Sequence, residues 1–97
     1  MLYMINKPPL SNSSLSSVLR IAPAGAPILL YEDGVYAVLP GAHSSALLSE
    51  ALAEHPVYAL EADLEARGIR RLTEGVQVIN YAGFEELVEA HDVAPWL

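Results

Sequence analysis

The sequence predicts an α/β fold, a small sandwich with a mostly parallel central sheet. Short apolar segments typical of strands alternate along the chain with segments whose apolar residues recur at helical spacing. The most strand-like segment is residues 28–31, an unbroken apolar run that stops at Glu32-Asp33-Gly34. Unbroken apolar runs are typical of strands covered on both faces, and the segments between the strands are long enough for parallel crossovers. We therefore expect helices to cover the sheet, and a functional site to lie at the edge where residues 28–31 end.

Four strands and four helices are predicted. The strands are residues 2–6, 28–31, 57–60 and 76–80. The helices are residues 13–22, 45–54 and 61–67, and a last helix whose apolar face carries Phe84, Leu87, Val88 and His91. Periodicity leaves residues 35–39 open between a helical turn and an extended segment. Residues 93–97 are predicted to be an apolar tail, and the pattern does not give the strand order.

Turn and cap residues set the ends of these elements. Lys7-Pro8-Pro9 ends the first strand, because proline has no N–H to donate. Residues 11–13 and Ser44 or Ser45 are candidate N-caps of the helices that follow them. Gly68 is expected in the left-handed conformation that closes the helix over residues 61–67.

Length and composition indicate one domain over residues 1–97. The chain has 97 residues, of which 53% are hydrophobic and none is cysteine. That apolar fraction is high for so small a domain, so we expect either a subunit interface or a fully covered sheet. No apolar run nears the roughly 20 residues that cross a bilayer, and no secretion signal is visible, so a cytoplasmic location is expected. Without cysteine the chain forms no disulfide and offers no thiol nucleophile, persulfide carrier or thiolate ligand.

The charge distribution argues against direct nucleic-acid binding. The net charge is −7, and residues 41–97 hold ten acidic residues against three arginines. Phosphate contacts supply most of the affinity for nucleic acids, so any RNA is expected to be held by a partner. The three arginines, Arg67, Arg70 and Arg71, flank Gly68. They form a solvated loop, or they face an acidic partner or a phosphate, and Asp63 is spaced to pair with Arg67.

Neither the carboxylates nor the serines form a pattern that predicts catalysis. Glu32 and Asp33 stand at a strand end, but neighbouring strand residues point to opposite faces, and Asp-Gly is a common turn pair. Ser44 and Ser45 lack the strand–turn–helix elbow of a serine nucleophile. No glycine-rich loop for a phosphate or nucleotide is present, so no cofactor is expected.

The histidines do not predict a metal site. His43, His55 and His91 are far apart in the sequence, whereas zinc sites usually take at least two ligands from a short local spacing. His91 is expected to pack in the core or at an interface.

The residues from 93 onward contain the chain's single tryptophan, Trp96. It either packs against its own domain or anchors in a neighbouring subunit, and tryptophan is a favoured interface anchor. We take Trp96 and Leu97, together with Asp33, Gly34 and Tyr36, as candidate interface residues.

Several segments together resemble the TusB/DsrH family of sulfur-relay subunits. They are residues 2–9 (LYMINKPP), 28–37 (ILLYEDGVYA), 57–69 (VYALEADLEARGI) and 78–84 (VINYAGF), and Trp96-Leu97. The resemblance implies a DsrE-like fold, which is a small three-layer sandwich. It also implies a heterohexamer with TusC/DsrF-like and TusD/DsrE-like paralogues. Such a complex passes persulfide sulfur toward 2-thiolation of the wobble uridine of certain tRNAs.

The same resemblance implies a non-catalytic subunit. The active cysteine of the TusD/DsrE-type paralogue precedes a helix that ends in Arg-Gly. By spacing from Arg67-Gly68, Leu60 stands at that position here. Some DsrH-type members carry a cysteine in the first helix, where this chain has Ser, Leu and Val. We therefore expect an accessory subunit that completes the complex, shapes the partner's cysteine pocket and helps to dock donor or acceptor proteins.

Two other functions stay open from the sequence. One is a subunit of a DsrEFH-type complex in dissimilatory sulfur oxidation. The other is a stand-alone small-molecule binding module that uses the Asp33-Gly34 edge. The sequence also leaves open whether the isolated chain forms homo-oligomers.

Overall fold

The computed structural model describes residues 1–9, 13–41 and 45–96, except for the side chain of Trp96. Within these residues the strands are β1 (Leu2–Ile5), β2 (Ile28–Leu30), β3 (Val57–Leu60), β4 (Gln77–Ile79) and β5 (Val93–Trp96). The helices are α1 (Ser14–Ile21), α2 (Ser45–Glu54), α3 (Glu61–Ala66) and α4 (Tyr81–Ala90), and a 3₁₀ helix over Glu32–Val38 follows β2. None of these helices is both long and apolar enough to cross a membrane.

The strands form one parallel sheet in the order β4-β3-β2-β1-β5. The chain steps from β1 to β4 in one direction, and α4 then leads it back across the sheet to place β5 beside β1. Right-handed crossovers put α1, α2 and α3 on one face of the sheet and α4 on the other. The predicted α/β sandwich with a parallel sheet is confirmed.

The main core lies between the sheet and the side that carries α1, α2, α3 and the 3₁₀ helix. Alternate strand residues enter it, and they are Tyr3, Ile5, Ile28, Leu30, Val57 and Ala59. The helices contribute Leu15, Val18, Val35, Val38, Leu48 and Leu64. Because side chains alternate across a sheet, the intervening residues Leu2, Leu29 and Leu60 face the α4 side, and they too are buried.

The covering by α4 is looser than the covering on the main-core side. No residue of α4 is fully buried, and Phe84 and Leu87 are half-buried. Tyr81 and Val88 are 61% and 37% exposed, and Val93 of β5, which pairs with buried Leu2, is 38% exposed. The α4 side therefore leaves apolar surface in contact with solvent.

The segment predicted as an apolar tail is instead the edge strand β5. It runs parallel to β1, with Val93 opposite Leu2 and Trp96 opposite Ile5. Pro95 makes this segment unlike a strand in sequence, since proline cannot donate to the ladder. An edge strand tolerates proline because one side of its backbone has no neighbouring strand. Leu97 lies outside the described residues.

The cap predictions have mixed outcomes. Gly68 has φ +66° and Ile69 N–H donates to the Leu64 carbonyl at 3.0 Å, so the predicted left-handed closure of α3 is confirmed. Ser13 occupies the N-cap position of α1 but makes no side-chain capping bond, so the predicted cap is wrong there. Residues 11 and 12 and Ser44 lie outside the described residues, and Ser45 is the first residue of α2.

Candidate functional site

The carboxyl ends of the parallel strands β1, β2 and β3 meet at one edge of the sheet. This is the edge where residues 28–31 end, and the sequence predicts a functional site there. Asn6 follows β1, Glu32 and Asp33 follow β2, and Asp63 and Arg67 come from α3 and its C-cap after β3. We call these five residues the carboxyl-edge cluster. They come from three separate stretches of sequence, and hydrogen bonds join them.

Arg67 is the centre of the cluster. Its Nε and Nη2 donate to the same carboxylate oxygen, Asp33 Oδ1, at 3.0 and 2.8 Å. Its Nη1 donates to the Asp63 carbonyl oxygen at 3.1 Å and lies 3.6 Å from Asp63 Oδ1, which confirms the predicted i,i+4 pair. The guanidinium carbon is 5.9 Å from the centre of the Tyr36 ring, within the range of a cation–π contact.

The electrostatics of the pair are those of a surface contact. The hydrogen bonds that Arg67 donates to Asp33 raise the pKa of Arg67, so the guanidinium stays charged. The Asp33 side chain is 55% exposed and that of Arg67 is 21% exposed, so solvent screens the attraction. Pairs of this kind contribute about 1 kcal/mol or less to stability. The pair therefore orients Arg67 more than it stabilises the fold.

Glu32 adopts a backbone conformation that residues other than glycine rarely take, with φ +48°. Its N–H donates to Asp63 Oδ2 at 2.8 Å, and its Oε1 accepts from Asn6 Nδ2 at 3.3 Å. These bonds hold the first residue of the 3₁₀ helix between β1 and α3. Asn6 Oδ1 is buried without a hydrogen-bond partner among the described residues. Strained backbone of this kind is concentrated at functional sites, which supports the choice of this edge.

Gly34 has a structural reason to be glycine. Its amide donates to the Tyr31 carbonyl at 2.9 Å, and a Cβ at this position would collide with the carbonyl oxygen of Ile5. The 3₁₀ helix therefore packs directly on the backbone of β1. The 3₁₀ helix runs through Val38 and Leu39 is extended, so of the two alternatives for residues 35–39 the helical one holds for residues 35–38.

The structure brings three of the five candidate interface residues together. Asp33 and Tyr36 both contact Arg67, and Gly34 lies between them in the 3₁₀ helix. The backbone of Trp96 also reaches this edge, because β5 is parallel to β1 and ends beside Ile5. Whether these residues form an interface stays a prediction.

The described histidines lie at the opposite, amino edge of the sheet. His55 precedes β3, is 6% exposed, and its Nδ1 lies 2.9 Å from the Ala26 carbonyl oxygen. His91 follows α4 and is half-buried. His43 is outside the described residues. In the part of the chain that the structure describes, no group of three or more His, Asp and Glu residues is arranged to hold a metal ion.

Leu60 lies at the junction of β3 and α3, in the N-cap position of α3, and is 6% exposed. The side chains that surround the carboxyl edge are mutual hydrogen-bond donors and acceptors. The groups exposed at this edge are Glu32, the carboxylate of Asp33 and the ring of Tyr36, the last 37% exposed. This arrangement suits recognition of another molecule.

Sequence reasoning missed Asn6 and the part played by Glu32. Asn6 directly follows the apolar residues of the first strand. Its position could have indicated a place in the site, because the carboxyl ends of parallel strands lie at the same edge of the sheet. The bond from Glu32 N–H to Asp63 spans 31 residues and has no local signal.

A family model described as DsrH like protein matches residues 7–94. Among curated proteins, the chain is 41% identical to Protein TusB of Serratia proteamaculans over 93 residues, covering 94% of each chain. It is 43% identical to Protein TusB of Erwinia tasmaniensis over 76 residues, covering 75% of this chain and 76% of that protein.

Solved structures share the fold at low sequence identity. The crystal structure of the ychN protein from E. coli superposes with a TM-score of 0.83 at 22% identity, covering 97% of this chain and 96% of that one. MTH1491 from Methanobacterium thermoautotrophicum, a protein of unknown function, gives a TM-score of 0.76 at 19% identity, again covering 97% and 96%. These two likenesses concern the fold alone.

Proposed function

The chain belongs to the DsrH-like family, and from this premise we propose that it is an accessory subunit of a cytoplasmic sulfur-relay complex. In this proposal it assembles with TusC/DsrF-like and TusD/DsrE-like paralogues into a heterohexamer. The complex passes persulfide sulfur toward 2-thiolation of the wobble uridine of tRNA. The chain itself does not carry the transferred sulfur, because it has no cysteine.

The observation that carries this proposal is similarity to TusB proteins over nearly the whole chain, in a chain without cysteine. At the junction of β3 and α3, where the resemblance places the active cysteine of a paralogue, this chain has the buried Leu60. A leucine cannot hold a persulfide, so the sulfur carrier must be a partner subunit. The role left to this chain is to complete the assembly and to shape the surface around the partner's cysteine.

The distribution of apolar surface supports an assembly role. Tyr81, Val88 and Val93 are exposed on the α4 side, and none of the residues of α4 is fully buried. Exposed apolar residues that form a contiguous patch are typical of surfaces that a partner covers. We propose that paralogues cover this side.

The test is co-expression of the full chain with the genes beside its own, followed by native mass spectrometry. We expect a hexamer with two copies each of this chain and two cysteine-bearing paralogues. Labelled sulfur should then be found on a paralogue's cysteine and, after addition of acceptor proteins, in tRNA. A chain that stays alone beside well-folded paralogues would contradict the proposal and favour a stand-alone binding module.

The sulfur-oxidation alternative shares this architecture and differs in where the sulfur goes. A hexamer whose label never reaches tRNA, encoded beside dissimilatory sulfite reductase genes, would assign the chain to that pathway.

A further inference from the structure

Three of the five basic residues of this acidic chain line one groove. The groove lies between the 3₁₀ helix and the loop that follows α3, and has a volume of about 550 Å³. Its walls are partly apolar and partly basic, and we call it the arginine groove; the residues that matter here are Tyr36, Leu39, Pro40, Ile69, Arg70 and Arg71. A second cleft of about 540 Å³ adjoins it, shares Pro40 and Arg71 with it, and continues past Ser45 and Ser49 of α2. The two form one elongated surface feature.

Arg70 and Arg71 are free to receive an anion. Arg67, which also lines the groove, is already paired with Asp33 and Asp63. Arg70 and Arg71 are exposed, and neither makes an ion pair within the described residues. Glu65 and Glu74 line the neighbouring clefts, but neither carboxylate lies within ion-pair distance of these two guanidinium groups.

Shape and charge select the class of ligand. The groove is open to solvent and continues into a second open cleft, whereas small-molecule sites enclose most of their ligand. A long polyanion such as RNA would be repelled by the chain, whose net charge is −7 and whose residues 41–97 hold ten acidic residues. A short acidic segment places charge only at the arginines, while apolar side chains contact Leu39 and Ile69. Arginine with aromatic and apolar neighbours is typical of protein–protein interfaces.

We propose that the arginine groove docks an extended acidic segment of a protein partner, in which carboxylates flank an apolar side chain. Arg70 and Arg71 bind the carboxylates, because a planar guanidinium group can donate two parallel hydrogen bonds to the two oxygens of one carboxylate. The apolar side chain lies between Leu39, Pro40 and Ile69. This assignment does not depend on sulfur relay, because it uses only the surface of this chain.

The test is titration of the isotopically labelled full chain by NMR with a blocked peptide of aspartate, leucine and glutamate. We expect backbone amide shifts at Leu39, Ile69 and Arg70, with a Kd of about 1 mM or below. The amide analogue, with asparagine and glutamine in place of the acids, should bind about tenfold more weakly, and added salt should weaken the acidic peptide.

Matched variants give the decisive comparison. Arg70→Glu with Arg71→Glu should weaken the acidic peptide at least about tenfold, since both attractive charges become repulsive. Arg20→Glu on α1, an exposed arginine away from the groove, should leave binding unchanged. Arg70 and Arg71 are exposed, and unchanged shifts elsewhere in the spectrum will show that the double variant folds.

Four results would overturn the proposal. They are no shifts in the groove at about 1 mM peptide, binding that survives the double charge reversal, inorganic phosphate producing the same shifts at equal or lower concentration, and a short oligonucleotide binding more tightly than the peptide. The last two would assign the groove to a small anion and to nucleic acid respectively.

Discussion

Gly34 shows how one residue fixes the position of the candidate site. It lies so close to the backbone of β1 that a methyl group would meet the Ile5 carbonyl oxygen. The turn that carries Asp33 and Tyr36 is therefore pressed onto the sheet, and their distances to Arg67 follow from that contact. The sequence indicated a turn at Asp33-Gly34, and the reason for the glycine became visible only in three dimensions.

Gly34→Ala should lower the free energy of unfolding by about 1–3 kcal/mol, because the added methyl group forces the 3₁₀ helix away from β1. The backbone of Gly34 is not in the left-handed region, so the loss measures the collision. Asp33→Ala is the matched neighbour, and removing its surface ion pair should cost about 1 kcal/mol or less. Urea unfolding of both variants checks this, and an equal or larger loss for Asp33→Ala would contradict it.

Tyr31 makes the free energy of unfolding depend on pH in the alkaline range. Partial burial, and to a smaller extent the charge of Glu32, raise the pKa of Tyr31 above its ordinary value of 10.0. As pH rises above about 10, the unfolded chain therefore loses this proton at a lower pH than the folded chain does. The contribution is complete below about pH 10 and is lost as pH rises through the folded-state pKa.

The corresponding prediction is that Tyr31→Phe loses less stability than the wild type as pH rises above about 10. Urea unfolding at a series of pH values measures the slope. Tyr81→Phe, which removes the hydroxyl of a tyrosine that is 61% exposed, is the control for the substitution itself. Identical slopes for Tyr31→Phe and Tyr81→Phe would show that Tyr31 is not responsible.

At the scale of elements, α4 depends on its first turn more than α1 does. Asn80 caps α4, with its Oδ1 accepting from the Gly83 amide at 2.9 Å. Ser13 stands at the same position of α1 without a side-chain capping bond. Since α4 has no fully buried residue, its cap supplies a larger share of its stability than in a helix held by the core.

Asn80→Ala should therefore cost about 1 kcal/mol of stability, whereas Ser13→Ala should be close to neutral. Hydrogen exchange should also accelerate along α4 in Asn80→Ala, because the helix frays from its first turn. Chemical unfolding and amide exchange of the two variants test this. A loss at Ser13 that equals the loss at Asn80 would contradict the role assigned to the cap.

The sequence predicted most elements because their signals are local. The apolar run at residues 28–31, Gly68 after α3 and the apolar spacing of α4 each depend on a few neighbouring residues. It missed β5, because Pro95 masks a strand that exists only through its pairing with β1. It also missed the link from Glu32 to Asp63, since that bond depends on the strand order, and the strand order has no local signature.

At the scale of the whole molecule, the two sides of the sheet are unequal. The side with α1, α2 and α3 holds the main core and exposes Ile21 and Val78, whereas the side with α4 is covered by a helix that has no fully buried residue. This asymmetry is the structural counterpart of the surplus of apolar residues in the sequence. We propose the α4 side as a subunit contact, in addition to the candidate residues at the carboxyl edge.

Tyr81→Ser with Val88→Ser should weaken assembly with co-expressed paralogues while the isolated chain stays folded, because both residues are exposed in the isolated chain. Ile21→Ser is the control, since Ile21 is 53% exposed but belongs to α1 on the other side. Native mass spectrometry measures assembly, and circular dichroism shows that each chain is folded. Loss of assembly with Ile21→Ser alone would move the contact to the α1 side.

Trp96→Ala separates an anchoring role from a structural one. The backbone of Trp96 pairs with β1 whatever its side chain, so we expect the isolated variant to fold. A tryptophan anchor typically contributes about 2 kcal/mol or more to an interface, which predicts at least about tenfold weaker assembly. Trp96→Phe should keep part of the affinity, because it retains an aromatic ring. An unfolded Trp96→Ala chain would show instead that this side chain completes its own domain, and unchanged assembly would remove Trp96 from the interface.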